Sequence, residues 1–207
     1  MCAWSGIWPI RHRAPVPACP GWSVRDVVAH LTAVVEDVLA GRLTGPPSDE
    51  QTAAQVARFR DRSLSEILAR WVELAPPFEE MVDGFEVWPA VLDVATHEHD
   101  IRGALGEPGA RHTVVVRVGA ERLLTWLQPP IPLRVVVEDA EYRVGPARDG
   151  EGEGEIVVLT TDRFEAFRWR MGRRSRAQLA NLQWTGDPTP ILDHLVVFGP
   201  APTDIYE

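Results

Sequence analysis

The sequence predicts an α+β protein in two parts, a helical bundle over residues 1–108 followed by a small domain of strands and helices over 109–207. Three observations carry this. Apolar residues recur at helical spacing through most of the first half, beginning with Val24, Val27, Val28, Leu31, Val34, Val35 and Val38. The run Gly106-Glu107-Pro108-Gly109 then interrupts every periodicity. Val-rich segments that read as strands, PLRVVVEDAEYRVG and GEIVVLTT, occur only after it. A chain of 207 residues is long enough to bury two cores.

The elements follow in order. Pro15, Pro17 and Pro20 make an extended lead-in, and Ser23 with Asp26 three residues on has the pattern of a helix N-terminus. Gly41 and Gly45-Pro46-Pro47 close that helix. A second is expected from about Asp49 to Asp61, and a third begins after Ser63, where Pro76-Pro77 should kink or divide it. A fourth runs from about Val87 to Leu105. Beyond the boundary, HTVVVRVGAERLLTWLQ is ambiguous, because its Val run favours a strand and Gly119–Gln128 a helix. The acidic, Gly-rich stretch Asp149–Glu155 reads as a polar loop and lacks the strand–turn–helix context of a phosphate cradle. Thr161 or Asp162 can cap a further helix, and an amphipathic segment follows Asp187-Pro188.

Composition excludes several functions. All 21 basic residues are Arg, so no lysine nucleophile, Schiff base or phosphate-binding lysine is available. A preference for Arg codons accounts for this. The net charge of −9, without a basic run, argues against a nucleic-acid or anionic-membrane partner. Two cysteines, Cys2 and Cys19, make no disulfide framework, and a cytoplasmic location is expected. Cys19, lacking a positioned base in the sequence, reads as a small buried residue. No apolar run reaches the roughly 18 residues of a membrane span, and the first residues lack the order of a signal peptide.

The fourth helix carries the chemistry. Ala90, Val94, Ile101 and Ala104 define its apolar stripe, and Asp93, His97 and Asp100 fall on or beside that stripe. Asp93 and His97 stand one turn apart and can converge on one point. His30, between Val27 and Val34 in the first helix, faces inward too. Two imidazoles and a carboxylate suit a divalent transition metal, especially zinc, with one position open. The competing reading is a hydrogen-bonded core histidine and an aspartate paired with Arg. His99 is expected to face solvent, and His12, His112 and His194 suggest nothing specific. Trp169 and Trp184 read as core.

The segment PVPACPGWSVRDVVAHL, followed by HEHDIRGALG, resembles the N-terminal domain of the mycothiol-dependent maleylpyruvate isomerase family, a branch of the DinB-like four-helix bundles. FEAFRWRMGRRSRAQLANLQWTGDP with its closing FGP resembles that family's sterol-carrier-like C-terminal domain, so the likeness spans residues 14–207. It implies a metal held by His30, Asp93 and His97, with Asp93 standing where the family usually has Glu. It also implies mycothiol as thiol cosubstrate, its pKa lowered by the metal, and either isomerisation of a small electrophile or S-transfer to it. Asp26 and Asp100 become candidates to orient a ligand imidazole, against the alternatives of a solvated charge or a helix-dipole partner.

Family members carry a full helix before the Pro-rich lead-in, where this chain has only MCAWSGIWPIRHR. A truncated or mis-started chain is therefore expected, unless a dimer, the second half, or Trp4, Ile7 and Trp8 cover the exposed face. In the second half Arg173, Arg174 and Arg176 cluster; an Arg fork suits a carboxylate, and Arg173 is the candidate for holding an anionic small-molecule substrate. The alternative is ordinary pairing with the many acids. The chain is expected to be a monomer or homodimer. Against an enzyme stands a non-catalytic metal- or small-molecule-binding or interaction protein whose site has degraded.

Overall fold

The computed structural model describes residues 11–43, 45–84, 88–147 and 156–207. The expectations about residues 1–10, Cys2 included, and about the Asp149–Glu155 loop fall outside them. The chain divides into two compact units, one running up to Gly109 and including Glu207, the other Ala110–Tyr206. The whole is α+β, a helical unit followed by a small sheet unit. Among the described residues no helix is long and apolar enough to cross a membrane.

In the first unit α1, Val24–Leu39, packs against three further helices, α2 (Asp49–Arg58), α3 (Leu64–Gly84) and α4 (Trp88–Leu105). Its start is fixed by a capping box: the Asp26 amide donates to the Ser23 hydroxyl at 3.3 Å, and the Ser23 amide donates back to the Asp26 carboxylate at 3.0 Å. Such a cap contributes about 1 kcal/mol. It also uses Asp26, which further pairs with Arg25, so Asp26 is a cap and not an imidazole-orienting group. One face of α1 buries Val24, Val27 and Leu31 with Val16, Cys19 and Leu105, and Val35 packs with Leu74, Phe78 and Ala90. A buried carboxylate ties α1 to α2: Asp37 accepts from Gln55 at 2.8 Å and pairs with Arg42 and Arg58.

Helix α3 passes through Pro76 and Pro77 as one helix, and the expected division is absent. The two prolines leave the carbonyls of Val72 and Glu73 without their i+4 donors. Both residues are exposed, Val72 by 68%, so water can take those bonds. Helix α4 ends at Gly106, whose φ of 65° is the left-handed conformation that closes helices.

In the second unit the ambiguous Val run is helical. Helix α5, Val114–Thr125, is capped by Thr113, and Val116, Ala120, Leu123 and Leu124 bury one face of it against α6, Arg163–Arg170. Capping and helical spacing outweigh the β preference of four valines. The sheet has the order β2-β1-β3-β4, with β1 Leu133–Val137, β2 Ala140–Val144, β3 Val157–Thr160 and β4 Gln183–Thr185. Strands β1 and β2 form an antiparallel hairpin, β1 and β3 are parallel, and β3 and β4 antiparallel. Leu133, Val135 and Val137 alternate inward along β1. Asp162 caps α6, accepting from the Glu165 amide at 2.7 Å. A short helix α7, Arg176–Ala180, precedes β4. The expected amphipathic segment after Pro188 is a single 3₁₀ turn, Leu192–His194, which buries Ile191, Leu192 and Leu195 without a longer helix.

Candidate metal centre

Two elements of the helical unit bring the expected donors together. His30 faces the bundle from the middle of α1 and is buried, because its neighbours at helical spacing, Val27 and Val34, are core. On α4, Asp93 and His97 lie one turn apart. His30 Nε2 is 3.5 Å from Asp93 Oδ2, and His97 Nε2 is 3.5 Å from Asp93 Oδ1. One ligand atom from each of the three residues lies within 4.8 Å of the others. The Asp93 side chain is 30% exposed while both imidazoles are buried, so solvent reaches the group from the carboxylate side.

This arrangement fits a metal ion by two criteria. Bonds of about 2.0–2.1 Å at tetrahedral angles put neighbouring N and O ligand atoms about 3.3 Å apart, close to the spacing found. The donor set, two neutral nitrogens and one carboxylate, is that of an open zinc site. The oxygens of Asp93 reach both imidazoles despite a side chain one methylene shorter than Glu.

Asp100 completes the site from behind. Its Oδ2 is 2.9 Å from His97 Nδ1, three residues earlier on α4, and its carboxylate is wholly buried. The contact has the form of the outer hydrogen bond that orients a metal-binding histidine, with Nδ1–H donated to Asp100 and Nε2 turned to Asp93. Burial works against a charged His97 ring, but its hydrogen bonds to Asp100 and Cys19 and the charges of Asp93 and Asp100 outweigh it. The His97 pKa is raised to about 10. His30 is held less completely, since its buried Nδ1 has no hydrogen-bond partner among the described residues.

Two neighbours were not read as part of the site: Cys19, buried as expected, and Trp22. Cys19 Sγ lies 3.6 Å from His97 Nδ1 and 3.6 Å from Asp100 Oδ2. Trp22 sets its ring 5.1 Å from that of His30 and, nearly parallel, 6.5 Å from that of His97. The Pro20-Gly21 pair, a turn marker, was the available signal. Cys19, His97 and Asp100 form a second group of ligand-type atoms within 4.8 Å. The 2.9 Å between nitrogen and oxygen there is a hydrogen-bond length, shorter than the roughly 3.3 Å between neighbouring ligands of a tetrahedral ion, so this group reads as backing the first.

Other expectations fare differently. His99 is buried, not solvent-facing. Helix α4 buries Leu92, Thr96, His99 and Asp100 as well as Ala90 and His97, so it is covered on more than one side and a single polar face does not exist. In the second unit the three arginines do not form a common fork. Arg174 makes a two-pronged pair with Glu165, Arg176 pairs with Asp193, and Arg173 donates to the Met171 carbonyl at 2.8 Å. Trp169 is fully buried, and Trp184, half-buried, donates to the Leu179 carbonyl.

Among curated proteins and among solved structures nothing matches this chain. A family model described as the mycothiol maleylpyruvate isomerase N-terminal domain matches residues 11–105. That span holds the Pro-rich lead-in, helices α1–α4 and every residue of the site. By that match residues 11–105 are similar to the mycothiol maleylpyruvate isomerase N-terminal domain.

Proposed function

We propose that the protein is a mycothiol-dependent metalloenzyme in which His30, Asp93 and His97 hold a divalent metal, with zinc the best fit to the donor set. The observation that carries this is the convergence of His30 Nε2, the Asp93 carboxylate and His97 Nε2, with Asp100 behind His97. A divalent cation at that point supplies the Lewis acidity that keeps a thiol deprotonated near neutral pH.

The chain's own residues favour that use. Two neutral imidazoles and one carboxylate around a dication leave a net charge of one positive unit, which attracts an anionic sulfur better than water. Burial of both rings raises the local strength of that attraction. The partly exposed Asp93 side leaves access for the thiol and for a small electrophile, and Trp22 backs the two imidazoles with an apolar wall. The thiol either adds to a conjugated carbon, permits rotation and is expelled, or stays as an S-conjugate. The mass of the product distinguishes the two.

Metal analysis of the purified protein tests this reading. Near-stoichiometric zinc in the parent after expression with added zinc, lost in the His30→Ala, His97→Ala double variant, is the expected result. Parent protein that takes up no more metal than the double variant overturns it and favours a non-catalytic binding protein. Zinc-loaded protein is then assayed with mycothiol and a panel of electrophiles against the metal-free form.

A further inference from the structure

The loop before α1 is built to deliver two side chains. The Trp22 amide donates to the Cys19 carbonyl at 3.0 Å, with Pro20 and Gly21 between them and Gly21 at a φ of 84°. Pro followed by a positive-φ Gly is the pattern of a type II turn. The base of the turn is locked on both sides: the Val16 amide donates to the Trp22 carbonyl and the Cys19 amide to the Val16 carbonyl, both at 2.9 Å. The two corner residues therefore point the same way. Trp22 covers the imidazoles, and the Cys19 thiol enters the core beside Val16, Val24, Val27, Leu31 and Leu105.

There the thiol meets a polar partner. Cys19 Sγ donates to Asp100 Oδ2 at 3.6 Å, and the same oxygen lies 2.9 Å from His97 Nδ1. The Asp100 side chain is entirely buried, so its carboxylate depends on protein donors. His97 is the member of the imidazole pair whose outer nitrogen is held, since that of His30 has no partner among the described residues.

We propose that Cys19 is a positioning residue: its thiol pins Asp100, Asp100 pins His97 Nδ1–H, and the chain Cys19–Asp100–His97 aims Nε2 at the metal position. The proposal rests on the metal reading above for its function, and the hydrogen-bonded chain itself is testable without metal. Cys19 does not supply a ligand here; it acts through Asp100. A thiol suits the place because it is small and apolar enough for the core while keeping a weak donor.

The test compares the parent with Cys19→Val, which fills the space without a donor, Cys19→Ala, which lacks the donor and leaves space, and Cys19→Ser, which keeps a donor. Zinc affinity is read by chelator competition. The downfield proton signal of His97 Nδ1–H is read by NMR in the metal-free protein. Cys19→Val and Cys19→Ala are expected to bind zinc about 10-fold more weakly, the lower end of the range for outer hydrogen-bond partners, with faster exchange of Nδ1–H. Cys19→Ser is expected to recover part of both. Changes that follow the variants' melting temperatures and not the presence of a donor overturn the proposal. So does a parent that binds zinc beside a Cys19→Val variant with the same affinity and an unchanged Nδ1–H, and that result leaves the metal reading standing. A parent that binds no zinc, with Nδ1–H still loosened by Cys19→Val, overturns the metal reading and keeps the positioning chain.

Discussion

Asp100 Oδ2 sits 2.9 Å from His97 Nδ1, and that contact decides which nitrogen of His97 faces Asp93 and His30. With one ring nitrogen held by a buried carboxylate, the other is aimed at the point where the second carboxylate and the second imidazole converge. His97 is thus bracketed by Asp100 on one side and Asp93 on the other, and its chemistry depends on whether the second position holds a proton or a metal.

The metal-free protein should therefore change with pH in a defined direction. His97 is raised from 6.5 to about 10, Asp100 being the strongest of the groups that raise it, working against burial. A raised pKa adds stability that is complete below the unfolded value, near 6.5, and is lost as pH rises through about 10. Melting temperatures of chelator-treated protein between those limits should fall more for the parent than for His97→Gln. Zinc has to displace the Nε2 proton, so zinc affinity should rise about tenfold per pH unit over the same window. Zinc affinity that does not change with pH across it would show that His97 holds no proton there.

Asp100→Asn keeps a side chain of the same shape and removes the charge that orients His97. Zinc affinity should fall between about 10- and 100-fold, the range for outer carboxylate partners of ligand histidines. Calorimetric titration with zinc checks this, and an unchanged affinity would reduce Asp100 to a structural group.

Asp93 is the carboxylate between the two rings, 3.5 Å from each. Asp93→Asn should abolish tight zinc binding; it also removes one of the charges that keep His97 protonated, so the melting temperature of the metal-free protein should fall, though less than for Asp100→Asn because the Asp93 side chain is 30% exposed. Asp93→Glu should keep binding within about tenfold, since the longer arm stays on the same helix face. Equal loss in both variants would mean that carboxylate reach, not charge, sets affinity.

Much of this was legible in the sequence, for reasons that particular residues make plain. His30, Asp93 and His97 could be brought together because helical spacing places His30 and His97 on buried faces with Asp93 one turn before His97, and the family resemblance joined them into one set. The capping box Ser23–Asp26 and the Asp162 cap were local patterns too. Cys19 was not legible as a partner of His97, 78 residues away, because that contact is made by tertiary packing; only the Pro20-Gly21 turn hinted that Cys19 and Trp22 share a direction. His99 was misjudged because a helical wheel assumes one buried face, and α4 has more. In the arginine run, adjacency in sequence says nothing of which acid each guanidinium meets: Arg174 and Arg176 follow the alternative of ordinary pairing, with Glu165 and Asp193.

Pro77 offers a measure of how far packing overrides local chemistry. It lies inside the continuous helix α3, exposed, and follows another proline, an arrangement that disfavours helical backbone at Pro76. A proline in a helix interior costs about 3 kcal/mol relative to alanine, although its restriction of the unfolded chain returns part of that. The packing of Leu74 and Phe78 on Val35 and Ala90, on either side of the two prolines, offsets that cost and holds the helix through them. Pro77→Ala restores an amide donor to the Glu73 carbonyl without touching that core. It should stabilise the protein by about 1–2 kcal/mol, read as a higher denaturation midpoint with an unchanged slope. A Pro77→Ala variant that is less stable than the parent would mean that the helix bends at 76–77 in solution and that the bend is built into the packing of Phe78.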